Sequence, residues 1–382
     1  MIGGRLLKVL GVAAFAVLAS CGDSGVSNQS AKADAPAWQA ELDREVPAAL
    51  KKDKLPGAIV GVWKDGKTVY LKAFGVADTR TGAPMRTDFH MRIGSLTKTF
   101  TVTALLQLVE AGKVSLDDPI AKYVSGVPNG DKITLRELAS MRSGLGDYSE
   151  VVTPNLYQDP GKQWAPQEML DITYGQPQRF KPGAEFDYNN ANTVLLGVVV
   201  EKVSGMKLGD YFKQHILGPL KLNNTSLPAN AAMPDPHPRG YGDWNPKEAV
   251  EDVTDWNPSW GWAAGAMVSN AQDIAKWTRA LALGELITPE LQRERETAFP
   301  AATEGGGAKY GLAYEIHPGG WQGHNGRIPG FTTYPYYLPA EKLTIVLLVN
   351  SSANVVESWS LFDMIVKTVT PDHPWSALPA PE

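Results

Sequence analysis

The sequence of 382 residues has almost no cysteine, no cluster of basic residues and no histidine pair with metal-ligand spacing. Its single cysteine, Cys21, excludes an internal disulfide and argues against cysteine catalysis. A net charge of -5 without any lysine or arginine run argues against nucleic acid as a partner. None of the six histidines stands in His-x-His or His-x-x-x-His spacing, so we expect no metal, no other cofactor and no zinc hydrolase.

Long hydrophobic runs are also missing, and the one apolar stretch near the start is too short to span a bilayer. This stretch, residues 9–19, follows a positively charged start and has the layout of a secretory signal. The Leu-Ala-Ser that precedes Cys21 resembles a bacterial lipobox, in which the cysteine becomes the lipidated first residue. The alternative is a plain signal peptide with an incidental cysteine. We expect a lipoprotein signal peptide at 1–20 and a tether at 21–37, which predicts an exported protein on the periplasmic or cell-surface side of a membrane.

Strand patterns occupy both ends of the rest of the chain, and helical patterns fill its middle. Near the start, two β-branched runs flank Asp65-Gly66, a pair typical of a two-residue hairpin turn. Near the end, strand patterns cover 310–316, 330–337 and 343–350. Helical patterns cover 95–112, 191–204, 271–283 and 355–369. We therefore expect one sheet built from both ends, with an α-helical region inserted between them.

Two Ser-x-x-Lys segments occur, and only one has the setting of a catalytic pair. Ser95 and Lys98 open a predicted helix, where positions i and i+3 lie side by side. Ser204 and Lys207 are separated by Gly205, a residue typical of a helix C-terminus, so their side chains should not share a face. The alternative for the first serine is an ordinary N-cap role.

Two further motifs lie far from Ser95 in the sequence. Tyr188-Asn-Asn190 is the single Tyr-x-Asn in the chain, and its alternative interpretation is that Asn190 caps the following helix while Tyr188 packs. His324-Asn-Gly326 leads into a predicted edge strand. The similar His317-Pro-Gly319 is a weaker candidate, because proline removes a backbone donor that a carbonyl-binding strand needs.

Together these motifs supply a hydroxyl, an amine, a phenol, a carboxamide and an imidazole. These groups suffice for a serine acyl-transfer site without a metal or a Ser-His-Asp triad. A serine becomes a good nucleophile only when a neighbour takes its proton, and a lysine does so only when desolvation or nearby positive charge keeps it neutral. Lys98 and Tyr188 would form a coupled pair, so the identity of the base stays open.

The three motifs, in this order, resemble those of the penicillin-recognising serine hydrolases, in the D-alanyl-D-alanine carboxypeptidase and class C β-lactamase branch. The resemblance extends over nearly all of the chain after the tether. It implies an α/β (α+β) fold of the β-lactamase/transpeptidase type, with an antiparallel sheet flanked by helices, an all-α region and the active site in the cleft between them. The implied domain spans 38–370, with its α/β part at about 38–94 and 265–370 and its helical part at about 95–264.

The resemblance also implies residue roles. Ser95 would be the nucleophile, Lys98 and Tyr188 would handle its proton, and the backbone amides of Ser95 and Arg327 would form the oxyanion hole. Substrate binding would involve Asn190, His324, Asn325, Gly326 and Arg327.

Two of these positions depart from the family pattern. Asn325 stands where a hydroxyl is usual, and Arg327 is bulky and cationic. We hypothesise that Arg327 supplies a compensating charge for a substrate carboxylate; the alternative is that its side chain points to solvent.

The leading functional prediction is a D-alanyl-D-alanine carboxypeptidase-type peptidase that acts through an acyl-Ser95 intermediate. The histidine of the third motif favours it, because class C β-lactamases typically have lysine there. The alternatives are a class C-like β-lactamase, an esterase or D-amino-acid peptidase on the same scaffold, and a non-catalytic lipoprotein that binds cell-wall fragments. The expected partners are a peptide or β-lactam-like small molecule and, through the lipid at Cys21, a membrane.

Overall fold

A computed structural model describes residues 36–247, 250–300 and 307–376. The predicted signal peptide, the predicted lipidation site Cys21 and nearly all of the predicted tether lie outside these ranges. The helices are α1 (Ala37–Lys52), α2 (Thr97–Glu110), α3 (Leu135–Ala139), α4 (Ser149–Val152), α5 (Pro166–Tyr174), α6 (Asn190–Ser204), α7 (Leu208–Phe212), α8 (Gly218–Leu220), α9 (Trp262–Gly265), α10 (Ala271–Leu283), α11 (Pro289–Glu296) and α12 (Val355–Val369). Among them, none combines the length and the apolar character that crossing a bilayer would require.

The strands pair antiparallel, and the main sheet draws on both ends of the chain. The strands are β1 (Gly57–Lys64), β2 (Lys67–Asp78), β3 (Ala83–Pro84), β4 (Met91–Arg92), β5 (Tyr241–Gly242), β6 (Glu251–Asp252), β7 (Val268–Ser269), β8 (Phe299–Pro300), β9 (Lys309–Tyr310), β10 (Glu315–Ile316), β11 (Gln322–Gly323), β12 (Gly326–Ile328), β13 (Phe331–Leu338) and β14 (Leu343–Val349). The main sheet runs β3-β2-β1-β14-β13-β11-β10-β9-β8, and β12 also pairs with β13. The predicted hairpin is confirmed, because Asp65 and Gly66 both have the positive φ of a tight turn between β1 and β2.

Helices cover both faces of this sheet, and each face has its own apolar core. On one face, α1 and α12 pack with β1, β13 and β14 around buried residues such as Leu42, Ile345 and Phe362. On the other face, α10 contacts β13 and β14 and joins the larger core around α2 and α6. The predicted α+β fold class is thus confirmed, whereas the boundaries of its α/β and helical parts stay predictions.

One predicted strand was wrong. Residues 310–316 do not form one strand, because the chain reverses at Ala313 (φ 50°) and β9 and β10 pair with each other. The strand predicted after the third motif is confirmed, because His324 lies between β11 and β12 and β12 begins at Gly326.

Candidate active site

Ser95 and Lys98 lie at the start of α2 with their side chains in contact. A 3-10 turn, Gly94–Leu96, leads directly into the helix, and the Lys98 Nζ is 2.9 Å from the Ser95 Oγ. The alternative that Ser95 caps the helix is wrong, because Ile93 precedes the 3-10 turn and Leu96 stands at the N-cap of α2. Ser95 as a whole is half-buried.

Lys98 is completely buried and has three polar neighbours. Besides Ser95, its Nζ contacts the Asn190 Oδ1 at 2.7 Å and the Ala264 carbonyl oxygen at 2.9 Å. Burial lowers the pKa of Lys98 to about 7, although the charges of Asp147 and Glu315 act in the opposite direction. A large neutral fraction therefore exists near neutral pH.

The contacts of Lys98 also direct its lone pair. The Asn190 Oδ1 and the Ala264 carbonyl can only accept hydrogen bonds. The neutral amine has two hydrogens, and it donates one to each of these acceptors. The lone pair is then left facing the Ser95 hydroxyl, which is the geometry of a general base.

Tyr188 lies over the same amine. The Lys98 Nζ is 4.8 Å from the centroid of the Tyr188 ring. The ring also packs edge-on against Tyr310 and at a tilt against His324, each at a centroid distance of 6.0 Å. The three motifs, which are spread over residues 95–326, thus meet in one place.

Asn189, not Asn190, caps α6. Its side chain accepts a hydrogen bond from the Ala191 backbone amide at 2.8 Å, so the alternative role of Asn190 as a cap is wrong. Asn190 begins the helix and directs its Oδ1 to Lys98. Its Nδ2 donates to the Asp147 Oδ2 at 3.2 Å and to the Ser149 Oγ at 3.0 Å.

The backbone of β12 packs closely against the backbone of the nucleophile turn. A Cβ on Gly94 would lie 2.5 Å from the Arg327 nitrogen. A Cβ on Gly326 would collide with the Ile93 carbonyl oxygen and lie 3.1 Å from the Ser95 nitrogen. Glycine at both positions allows this approach, which places the backbone of Arg327 directly against the backbone of Ser95.

His324 belongs to a buried polar network behind Tyr188. Its Nδ1 donates to the Asn325 carbonyl at 2.7 Å, so its Nε2, 2.9 Å from the Tyr310 hydroxyl, accepts in the neutral ring. Burial lowers the pKa of His324, and the charge of Glu315 acts in the opposite direction. Burial also disfavours the ionised Glu315, but His324, His317 and the Tyr336 hydroxyl hold its pKa at about 2.

Arg327 contacts a backbone carbonyl, an aromatic ring and a carboxylate. Its Nε donates to the Ser352 carbonyl at 2.8 Å, and its guanidinium lies 4.9 Å from the Trp244 ring centroid and 3.7 Å from the Asp243 carboxylate. The side chain is 40% exposed, so the hypothesised contact with a substrate carboxylate and the solvent-facing alternative both stay predictions.

Several functional candidates were missed by the sequence analysis: Asp147, Ala264, Tyr310 and Glu315. None belongs to a motif, and the contribution of Ala264 is a backbone carbonyl, which no residue type reveals. Within the described ranges, no group of three or more His, Cys, Asp or Glu side chains could hold a metal ion.

A family model described as Beta-lactamase matches residues 42–360, most of the chain. The chain belongs to the β-lactamase family. It is a serine hydrolase of the fold shared by β-lactamases and penicillin-binding proteins. Both the predicted family and the predicted enzyme class are therefore confirmed.

Similar proteins include several named for D-amino acid chemistry. A D-stereospecific amidohydrolase from a Streptomyces species is 30% identical, with a TM-score of 0.76 over 88% of this chain and 99% of that one. The D-amino acid amidase of Ochrobactrum anthropi SV3, in complex with D-phenylalanine, is 27% identical, with a TM-score of 0.78 over 87% and 99%. A D-aminopeptidase of Cereibacter sphaeroides is 28% identical over 82% of this chain, which spans 60% of that protein.

Proposed function

We propose that this protein hydrolyses amide bonds of D-amino acid derivatives through an acyl-Ser95 intermediate. The observation that carries the proposal is the buried Lys98 amine, 2.9 Å from the Ser95 Oγ with its pKa lowered to about 7. An amine in this state accepts the serine proton at neutral pH without help from a histidine.

The reaction has two halves. The Ser95 Oγ attacks the substrate carbonyl carbon while its proton passes to Lys98 or to Tyr188, and the amides of Ser95 and Arg327 receive the negative oxygen. The C–N bond then breaks, and the leaving amine takes up a proton from the same pair. In the second half, water attacks the ester carbonyl, which releases the acid and restores the Ser95 hydroxyl.

The substrate class rests on two considerations. The similar amidohydrolase, amidase and aminopeptidase are each named for D-amino acid or D-stereospecific activity. In addition, Asp243 and the Ser352 carbonyl offset the charge of Arg327, which weakens the idea that Arg327 binds a terminal carboxylate. A D-aminoacyl amide or peptide therefore replaces the D-alanyl-D-alanine terminus as the leading candidate. The carboxypeptidase is the second candidate, because the Arg327 side chain is still 40% exposed.

Paired substrates separate these candidates. We expect purified protein to release ammonia from D-phenylalanine amide and D-alanine amide, with little turnover of the L-enantiomers. We expect slower release of D-alanine from an acylated Lys-D-Ala-D-Ala peptide. Preference for the peptide, or equal rates for both enantiomers of the amide, would contradict the assignment. Ser95→Ala is the inactive control, and Ser204→Ala is the matched serine replacement outside the site.

We also propose that the protein is exported and lipidated at Cys21, as the lipobox-like segment indicates. Metabolic labelling with a tagged fatty acid tests this directly. Wild-type protein should carry the label and partition with membranes, whereas Cys21→Ser should lose both properties. Label that persists in Cys21→Ser would exclude this residue as the attachment site.

A further inference from the structure

Asp147 is a buried carboxylate beside the catalytic centre that no motif contains. It is 4% exposed and precedes α4. Its Oδ1 accepts from the Ser149 backbone amide at 3.0 Å, and its Oδ2 accepts from the Ser149 hydroxyl at 2.8 Å. The same Oδ2 accepts from the Asn190 backbone amide at 3.1 Å and from the Asn190 Nδ2 at 3.2 Å.

These contacts fix the orientation of the Asn190 carboxamide group. One Nδ2 hydrogen goes to the Asp147 carboxylate, and the other goes to the Ser149 Oγ at 3.0 Å, whose own proton is donated to Asp147. A carboxylate can only accept, so an amide flip would set the Asn190 Oδ1 against the carboxylate oxygen. The Oδ1 is therefore directed to the Lys98 Nζ, at 2.7 Å.

We propose that Asp147 is a positioning residue, which holds the Asn190 amide so that the Lys98 lone pair is directed at Ser95. This role builds on the acyl-Ser95 chemistry proposed above. With the amide flipped, the Asn190 Nδ2 would donate to the neutral amine and occupy the lone pair that otherwise faces the Ser95 hydroxyl. Asp147 thus acts on Ser95 indirectly, through the side chains of Asn190 and Lys98.

Asp147 has a second effect on the same amine. Its negative charge raises the pKa of Lys98, against the larger lowering by burial. Titratable groups near Lys98 also include Glu315, His324 and Tyr188. Replacing the carboxylate of Asp147 by an amide leaves those three in place, so the Lys98 titration should move to lower pH.

The test is a double-mutant cycle with Asp147→Asn and Asn190→Ala. Acylation of Ser95 is measured with a fluorescent penicillin, and turnover is measured with D-phenylalanine amide. We expect Asp147→Asn to slow acylation about 10²-fold, with a much smaller change in KM, because the base is misdirected. In the Asn190→Ala background, the same replacement should have almost no further effect on the acylation rate. Independent, multiplicative losses would overturn the proposal.

Asp273→Asn is the matched control for a general loss of stability. Asp273 is also buried, and it accepts from the Asn224 amide at 2.7 Å and from the Thr225 hydroxyl at 3.2 Å and pairs with Lys276 at 3.4 Å, none of which is a residue of the candidate site. Melting temperatures of both variants are compared. If Asp273→Asn slows acylation as much as Asp147→Asn at a similar melting temperature, the positioning role fails.

A third readout needs no substrate. The titration of Lys98, followed by NMR of its labelled side chain, should have a lower midpoint in Asp147→Asn than in the wild type. An unchanged midpoint contradicts the electrostatic part of the role. If the wild type is labelled by penicillin but leaves D-amides intact, the proposed substrate is wrong while the positioning role is still tested by labelling and by NMR.

Discussion

The two Ser-x-x-Lys segments of this chain have the same spacing and opposite surroundings. In the first, Lys98 is fully buried and its Nζ contacts the Ser95 Oγ. In the second, the Ser204 hydroxyl donates to the Val200 carbonyl at 2.6 Å, and the Lys207 side chain is 82% exposed, 3.5 Å from Glu201. Sequence spacing alone therefore does not make a catalytic pair.

The difference between the segments has two physical causes. The first segment continues as a helix, whereas Gly205 takes a left-handed conformation (φ 72°) that ends α6 inside the second segment. The first lysine is also enclosed by elements from elsewhere in the chain, and this removal from water lowers its pKa to about 7. The reactivity of the Ser-Lys pair thus depends on the burial of the lysine, to which the motif itself contributes only in part.

The largest expected effect comes from replacing each lysine. Lys98→Met should reduce acylation of Ser95 about 10³-fold, because it removes a general base at the nucleophile. Lys207→Met removes an exposed charge and should leave the rate unchanged. Acylation rates of the two variants, measured side by side with a fluorescent penicillin, check the comparison, and similar losses in both would refute it.

The second largest effect is expected when a glycine near each Ser-x-x-Lys segment is replaced by alanine. Gly326→Ala pushes β12 away from the Ser95 turn and should slow acylation about 10²-fold, the cost of weakening an oxyanion contact. The partner variant is Gly205→Ala, where a Cβ would meet no atom within 4 Å. Its acylation rate should equal that of the wild type. A normal rate in Gly326→Ala would mean that β12 does not form the oxyanion site.

The acylation rate of the wild type should also depend on pH, with a smaller change than either substitution at the site produces. Lys98 must be neutral to accept a proton, so acylation should rise as the pH passes upward through its pKa of about 7. Between pH 6 and pH 8 the neutral fraction, and with it the rate, grows roughly tenfold. A rate that is flat across this interval, measured by stopped-flow acylation, would exclude Lys98 as the base.

The smallest effect concerns stability alone. Gly205→Ala forces a residue with a side chain into a left-handed conformation and should lower the free energy of unfolding by about 1 kcal/mol. Urea denaturation of the variant and the wild type measures this difference. An equal midpoint would show that the end of α6 tolerates a Cβ, and it would leave the catalytic comparison intact.

Local patterns in the sequence predicted the parts of the fold that depend on local forces. The Asp65-Gly66 hairpin, the helix at Ala271–Leu283 and the helix at Val355–Val369 all occur where their turn residues or periodicity indicate. The failure at 310–316 has an equally local reason. Leu312 and Ala313 are buried apolar residues inside a tight reversal, so their composition matches that of a strand interior.

The candidate site was predictable only in part. Ser95, Lys98 and Tyr188 stand in motifs and do come together. Asp147 and Glu315 carry no such signature, because their importance comes from burial and from distances to groups far away in sequence. Ordinary carboxylates in a chain with 41 acidic residues cannot be singled out before the fold is known.

The packing of Gly94 against Arg327 joins two stretches of chain that are synthesised far apart. A chain that has made only its first three hundred residues holds the serine and the lysine but lacks the strand that completes the pocket. Covalent labelling of Ser95 should therefore occur only in molecules in which this strand is in place. A penicillin dye added during refolding would report when this packing has formed, and its signal should lag behind the recovery of helix measured by circular dichroism.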